Sequence, residues 1–357
     1  MDGRQAEAGG RVPPRFTGRV VAVHRQGVYA EGVAGWDEPG PGPWSPAPPA
    51  FPAPLAPVTV IALGDGFLPP GPWHLRLPAG PGSVPAPPAS RTPAPHDGGW
   101  RRWLAAGDPV RWGPAGGQAG RGGGAVAIPP PGLWRRWFPP GGARGAARAR
   151  RRAAAVLGHL LAVAPPPGWK RLAQAVAQLE RAVAAGRWDE AAQPALALLG
   201  AGPGLTPSGD DWLAGWSAYW AWRAGARPGR PAPPPGSPAW EPAAGGGPGG
   251  GGGGAAFHRW AAWLRNEAAR RTGPVSRALL DAALDGELPE PAAGLLAALW
   301  SGDAPAVPRA ARRLFRTGHS SGVDLAWGLW MAARRDAGGD HARQEGAGPA
   351  HGENGRW

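Results

Sequence analysis

Cysteine is absent from this chain, which excludes disulfides, a thiolate nucleophile and any cysteine-ligated zinc or iron–sulfur centre. Lysine is nearly absent: Lys170 is the one lysine among 38 basic residues, and isoleucine and asparagine occur twice each. With 61 Gly and 48 Pro, that usage is the mark of a GC-rich coding sequence, in which Ala, Gly, Pro and Arg enter wherever structure tolerates them. The same bias dilutes the formal charge of +13 as evidence for a polyanionic partner. Only Arg144, Arg148, Arg150, Arg151 and Arg152 form a dense basic cluster, read here as a solvated helix start. No zinc-finger spacing or aromatic–basic interleaving is present, so a nucleic-acid partner is not expected. Uncharged apolar runs fall short of the ~18–20 residues of a membrane span, and Met1–Arg11 lacks the apolar core of a signal peptide. The expectation is a cytoplasmic protein without membrane contact.

What is present divides the chain in two. Residues 12–140 carry short β-rich runs, Gly18–Ala30, Val58–Leu63, Trp73–Leu77, Asp108–Trp112 and Ala125–Ile128, separated by Pro-rich loops. Residues 143–336 show apolar spacing of helical period in nine segments, among them Trp169–Ala185, Ser208–Arg223, Pro274–Leu284 and Ser321–Arg335. The Gly/Pro-rich insertion 225–254 and the tail 337–357 read as disordered. The fold class is therefore α+β: a small β-rich module, barrel or sandwich, followed by a mostly α-helical domain with an internal pseudo-repeat. The 21 Trp suggest a base-stacking platform at first sight, but Trp212, Trp216 and Trp220 recur at core spacing.

The pseudo-repeat is the informative pattern. Of three Ser-Gly pairs, two open the same motif, Ser-Gly-x-Asp-x-x-x-Gly: Ser208-Gly209-Asp210-Asp211 through Gly215, and Ser321-Gly322-Val323-Asp324 through Gly328. Serine at a helix start and aspartate in its first turn serve the unpaired N–H groups and the positive helix end. Glycine admits a ligand to those groups, and a glycine-bearing loop feeding a helix is a natural anion site. The second glycine, two turns on, permits close helix contact. Two well-capped helices in a duplicated bundle are the bland alternative. If the copies face each other, Thr206, Ser208, Gly209, Ser320, Ser321 and Gly322 supply donors to a phosphate or carboxylate. Asp210, Asp211 and Asp324 orient them, and Thr272 and Ser276 line the same cleft. His319 is the candidate general acid or base. No cofactor is expected; Asp210, Asp211, Asp324 and His319 could hold Mg²⁺, with metal-free capping carboxylates the preferred reading.

The segment Gly318-His319-Ser320-Ser321-Gly322 also fits a serine-hydrolase elbow, but a helix precedes it and the later histidines lie in the Gly-rich tail. No nucleotide-binding glycine motif survives inspection of its context.

GPGLTPSGDDWLAGW (202–216), RTGPVSRALLDAALDG (271–286) and GHSSGVDLAWGL (318–329) resemble three blocks of a bacterial domain-of-unknown-function family. That family includes the AllH subunit of oxamate carbamoyltransferase. The resemblance runs from about Gly18 to Arg335, weakly in the β-rich part. It implies a subunit of a carbamoyltransferase complex acting on carbamoyl phosphate and a small anionic amide acid such as oxamate, with other subunits as partners. A non-catalytic subunit that binds the anionic metabolite or acts as a scaffold is the alternative.

Overall fold

A computed structural model describes residues 6–9, 16–23, 27–34, 58–64, 74–76, 105–113, 116–120, 126–128, 131–135, 144–162, 169–225 and 251–346. The chain divides into two compact units, Met1–Trp137 and Phe138–Trp357. The described residues are mostly helical, with a sheet near the N-terminus whose central strands are antiparallel.

The first unit holds β1 (Ala6–Gly9), β2 (Phe16–Val23), β3 (Gly27–Ala34), β4 (Val58–Gly64), β5 (His74–Arg76), β6 (Pro109–Gly113), β7 (Gly116–Ala119), β8 (Val126–Ile128) and β9 (Pro131–Arg135). Their order is β8-β7-β6-β2-β3-β4-β5-β1-β9. At its centre β2 pairs antiparallel with β3 (Phe16 opposite Ala34) and with β6 (Phe16 opposite Trp112). Strand alternation buries Phe16, Gly18 and Val20 while Arg19 faces solvent, so one face of β2 supplies core. Strand β1 precedes the start expected at residue 12, and β7 and β9 were hidden by glycine and by Pro131. Pro131 is the first residue of an end strand, where a missing N–H is tolerated.

The second unit holds α1 (Ala147–Ala162), α2 (Trp169–Ala184), a 3-10 turn (Trp188–Ala191), α3 (Ala192–Leu198), α4 (Ser208–Arg223), α5 (Gly251–Arg271), α6 (Pro274–Leu284), α7 (Glu290–Ser301), α8 (Val307–Leu314) and α9 (Ser321–Gly346). Two boundaries differ from expectation. Helix α5 begins at Gly251, inside the insertion read as 225–254, and α9 runs through Gly346, inside the tail read as 337–357. Extending a packed helix fixes one residue per hydrogen bond, so poor helix formers are carried along where nucleation would fail. The rest of the insertion, 226–250, and the tail, 347–357, lie outside the described residues.

Helix α4 is the axis of this unit. From Gly209 to Tyr219 every residue is buried, which is why its sequence is apolar all round and not on one stripe. It packs chiefly on α9 and α6. Ser208 faces Asp324 and Ser321 faces Asp211, while Tyr219 and Arg223 reach Asp336 farther along, so α4 and α9 lie side by side in parallel. The motif's second glycines make this contact. A Cβ on Gly215 would sit 2.1 Å from the Leu325 carbonyl oxygen, and one on Gly328 2.1 Å from that of Trp212. On α4's other side Trp212, Trp216 and Trp220 join Trp188, Phe257 and Trp260 in a ring cluster, with Trp216 and Trp260 centroids 5.4 Å apart in an edge-to-face arrangement. Trp212 and Trp216 are core, as their spacing predicted, and Trp220 is half-buried at its edge. One member of the basic cluster is not a solvated helix-start residue: Arg150 is 2% exposed and pairs with Asp336.

Two glycine substitutions should separate packing from propensity. Gly215→Ala must push backbone from backbone and should lower unfolding free energy by about 1–3 kcal/mol. Gly294→Ala, in α7 with open space around the added methyl, should raise it by about 0.5–1 kcal/mol. Urea titration checks both; equal effects would disprove the close approach.

Candidate functional site

The site is built where α4 and α9 begin. The chain enters α4 through an exposed loop, Gly202–Leu205, in which Gly202 holds φ +125 with Ser208 N only 2.8 Å from where a Cβ would be. Ser208 is the first helical residue and Pro207 the N-cap, without a side-chain capping bond. The first-turn N–H groups find backbone partners instead: Gly209 N donates to Ala201 O (2.9 Å), and Asp210 N and Asp211 N to Pro207 O (2.9 and 3.1 Å). The second start is built alike, with Gly322 N on Thr317 O (3.1 Å) and Val323 N and Asp324 N on Ser320 O (2.8 and 2.9 Å).

This changes what the first glycines do. Their N–H groups are engaged, and a Cβ at Gly209 or Gly322 would lie 2.0 Å from the carbonyl oxygen of Leu198 or Leu314, at the end of the preceding helix. Gly209 and Gly322 let each new helix start directly over the end of the previous one; as N–H donors to a ligand they are already occupied.

One serine of each start crosses to the acid of the other, and one hydroxyl stays with the acid of its own start. The Ser321 and Thr206 hydroxyls face the Asp211 carboxylate, while those of Ser208 and Ser320 face Asp324. Thr206 Oγ1 and Ser321 Oγ lie 2.9 Å apart. Asp324 is fully buried and Asp211 is 1% exposed. Neither Asp324 oxygen, nor Asp211 Oδ2, completes a hydrogen bond of ordinary geometry within the protein. Burial is the main force on both acids and raises their pKa values, Asp211 well above the usual carboxylate range, with the charges of Asp324 and Asp210 pushing the same way. The facing hydroxyls oppose that rise without cancelling it.

Asp210 belongs to a neighbouring network. It accepts from Gly200 N at 2.8 Å and from the Thr272 hydroxyl, and burial raises its pKa as well. Ser276 Oγ donates to Leu205 O at 3.2 Å. Thr272 and Ser276, expected to line a cleft, fasten the entry loop of α4 to the α5–α6 junction. His319 is exposed on the loop before α9, and no hydrogen bond ties it to either carboxylate. Among the described residues no group of three or more His, Asp or Glu side chains is placed to hold a metal ion. No helix there is long and apolar enough to cross a membrane.

The residues that build this junction also carry a family likeness. Residues 198–230 and 253–333 match the family model described as oxamate carbamoyltransferase subunit AllH. Over these residues the chain is AllH-like. The matched range is narrower than the Gly18–Arg335 span of the resemblance and falls within the helical unit. It contains both AllH-like helix starts, the α5–α6 junction and the α4–α9 contact. No curated protein and no solved structure matches the chain.

The buried acids give the AllH-like unit a signed pH response. Carboxyls whose folded pKa is raised lend full stability below about pH 4, their unfolded value, and lose it as pH rises through the folded pKa. Asp336, whose pKa is lowered by Arg144, Arg150 and Arg223, acts oppositely: its contribution is present above about pH 4 and lost as pH falls. Between pH 4.5 and 8 the Tm should therefore fall with pH, and Asp211→Asn should flatten that slope. An unchanged slope in Asp211→Asn and Asp324→Asn, followed by calorimetry, would remove these acids as its source.

Proposed function

We propose that this AllH-like chain is one subunit of a carbamoyltransferase-type complex, and that the junction of α4 and α9 binds its small anionic amide acid, of the oxamate kind, beside carbamoyl phosphate. The reading rests on a reciprocal hydroxyl–carboxylate exchange, Ser321 on Asp211 and Ser208 on Asp324, with Thr206 and Ser320 joining the acid of their own start. An amide offers two N–H donors and one carbonyl acceptor. The carboxylate oxygens suit the first, and the hydroxyls beside them suit the second. Burial raises the pKa of Asp210, Asp211 and Asp324 and so lowers the cost of placing an anion beside them. Donors fixed by two helix starts are also the kind of group that stabilises charge developing on carbamoyl and phosphate oxygens.

In this reading the two motifs are a pseudo-symmetric pair left by duplication, and the β-rich unit closes as a barrel or sandwich. His319, at the rim of the second start, moves the proton. Asp210 with Thr272 and Ser276 positions the loop that carries Thr206. The exposure of His319 favours a second reading, in which the junction binds or positions the metabolite and another subunit supplies the chemistry.

Calorimetry with oxamate as probe tests both. Ser208→Ala and Ser321→Ala should each weaken binding by about 1.5–3 kcal/mol, and the double variant should depart from additivity because both residues meet one ligand. His319→Asn should keep binding and, in the assembled complex, remove turnover only if the first reading holds. Unchanged affinity in the serine variants, with a folding loss of about 1 kcal/mol, would reduce the junction to two helix starts.

A further inference from the structure

Two buried acids of the helical unit are matched by guanidinium groups. Asp336 meets Arg144, Arg150 and Arg223, and Glu180 accepts from Arg335 Nε at 3.2 Å. The three acids of the α4–α9 junction are not matched in this way. Among the described residues no arginine, lysine or histidine forms an ion pair with Asp210, Asp211 or Asp324. Yet Asp210 and Asp324 are fully buried and Asp211 is 1% exposed. Their neighbours are hydroxyls, Thr206 and Ser321 at Asp211 and Ser208 and Ser320 at Asp324. All four hydroxyl-bearing residues are half-buried, so the acids form a floor that opens to solvent on the hydroxyl side.

Buried carboxylates are paired with a cationic side chain or hold a metal ion. When ionised, the three acids carry three negative charges, and the two helix starts that converge on them offset about one. What remains is close to the charge of one divalent cation. The donors are oxygens alone, in a chain without cysteine, which suits a hard ion such as Mg²⁺ and not zinc or copper. Their arrangement agrees. Thr206 Oγ1 and Ser321 Oγ lie 2.9 Å apart, and oxygens ~2.0–2.1 Å from one Mg²⁺ stand about 2.9 Å from each other along an octahedral edge. Asp211 Oδ2 and both Asp324 oxygens complete no hydrogen bond of ordinary geometry, although hydroxyls stand beside them. One or two carboxylates are what Mg²⁺ takes when waters and a substrate phosphate fill its other positions, so no third acidic ligand is required. Asp210, held by Gly200 N and the Thr272 hydroxyl, adds charge from behind.

We propose that Asp211 and Asp324, with the hydroxyls of Thr206, Ser208, Ser320 and Ser321, form a Mg²⁺ site whose remaining positions receive oxygens of the anionic ligand. The cation offsets the three acids, so that a phosphate or carboxylate can settle beside them. The proposal rests on the reading of this junction as a ligand site, and not on which anion the junction takes.

The test is MgCl₂ titrated into the full chain, stripped with EDTA and dialysed, at constant ionic strength against sodium chloride, followed by calorimetry and Tm. The expected result is a single-site binding heat and a saturable rise in Tm. Asp211→Asn and Asp324→Asn should each lose about tenfold or more in Mg²⁺ affinity, since each removes a charged ligand. Asp189→Asn, which removes an exposed acid of the same unit, should bind as the parent does. Ser320→Ala keeps both acids and guards against misfolding; it should fold and bind several-fold more weakly. Mg²⁺ without effect on the parent beyond matched sodium chloride would overturn the proposal. So would full binding by either asparagine variant, or equal loss in Asp189→Asn. Oxamate titrated with and without Mg²⁺ separates the proposal from the reading beneath it. Mg²⁺ bound by a chain that ignores oxamate keeps the metal site and removes the amide-acid reading. Oxamate bound by a chain that ignores Mg²⁺ overturns the metal site alone.

Discussion

Backbone lies against backbone where α4 and α9 meet, because Gly215 and Gly328 have no side chain to hold them apart. Each seats on a main-chain carbonyl of the other helix, and an added methyl would stand 2.1 Å from that oxygen. Helices this close and parallel place both of their first turns at one end and their later turns at the other. The acids Asp211 and Asp324 meet the hydroxyls of the opposite start only because this distance is short. Asp336 reaches Tyr219 and Arg223 of α4 for the same reason. Widening the contact by one methyl group would disturb the packing, the acid pair and the arginine cluster together.

The charge distribution follows the helix direction. Two positive helix ends converge on Asp210, Asp211 and Asp324, and the end of α4 runs out among Arg144, Arg150 and Arg223. The dipoles favour ionised acids at the first end, yet burial dominates there and raises their pKa values. At the second end the guanidiniums outweigh burial and hold Asp336 ionised. Buried carboxyls on one element therefore titrate in opposite senses, decided by what surrounds each.

Much of this was legible before any coordinates. Helices Ser208–Arg223 and Pro274–Leu284 carry their boundaries in capping and proline signals, and the structure places them at those residues. The tryptophan spacing announced a core face, and the duplicated motif marked both helix starts. Less legible were strands such as Gly116–Ala119, whose composition has no β signal and whose pairing with β6 and β8 is supplied by neighbours. Arg150 was equally hidden. Read along the chain it is one arginine among several, and only the distant Asp336 makes it an interior residue. The matching places of Arg223 and Asp336, equally far beyond the two motif serines, were the available hint.

The sequence by itself determined where the helices run, which face of each is apolar, and that two helix starts share one pattern, since period, caps and glycine spacing are local properties of a chain. Tertiary structure decided what the pattern is used for. Whether a helix-start N–H is offered to a ligand or taken by a carbonyl depends on where the preceding helix ends. Leu198 and Leu314 end directly beneath Gly209 and Gly322. Whether a first-turn aspartate caps its own helix or faces a hydroxyl from another depends on how closely two distant segments approach. The second distance joins residues more than a hundred positions apart, such as Asp211 and Ser321, and the first depends on how the chain reverses between two helices, so no helical or capping pattern encodes either.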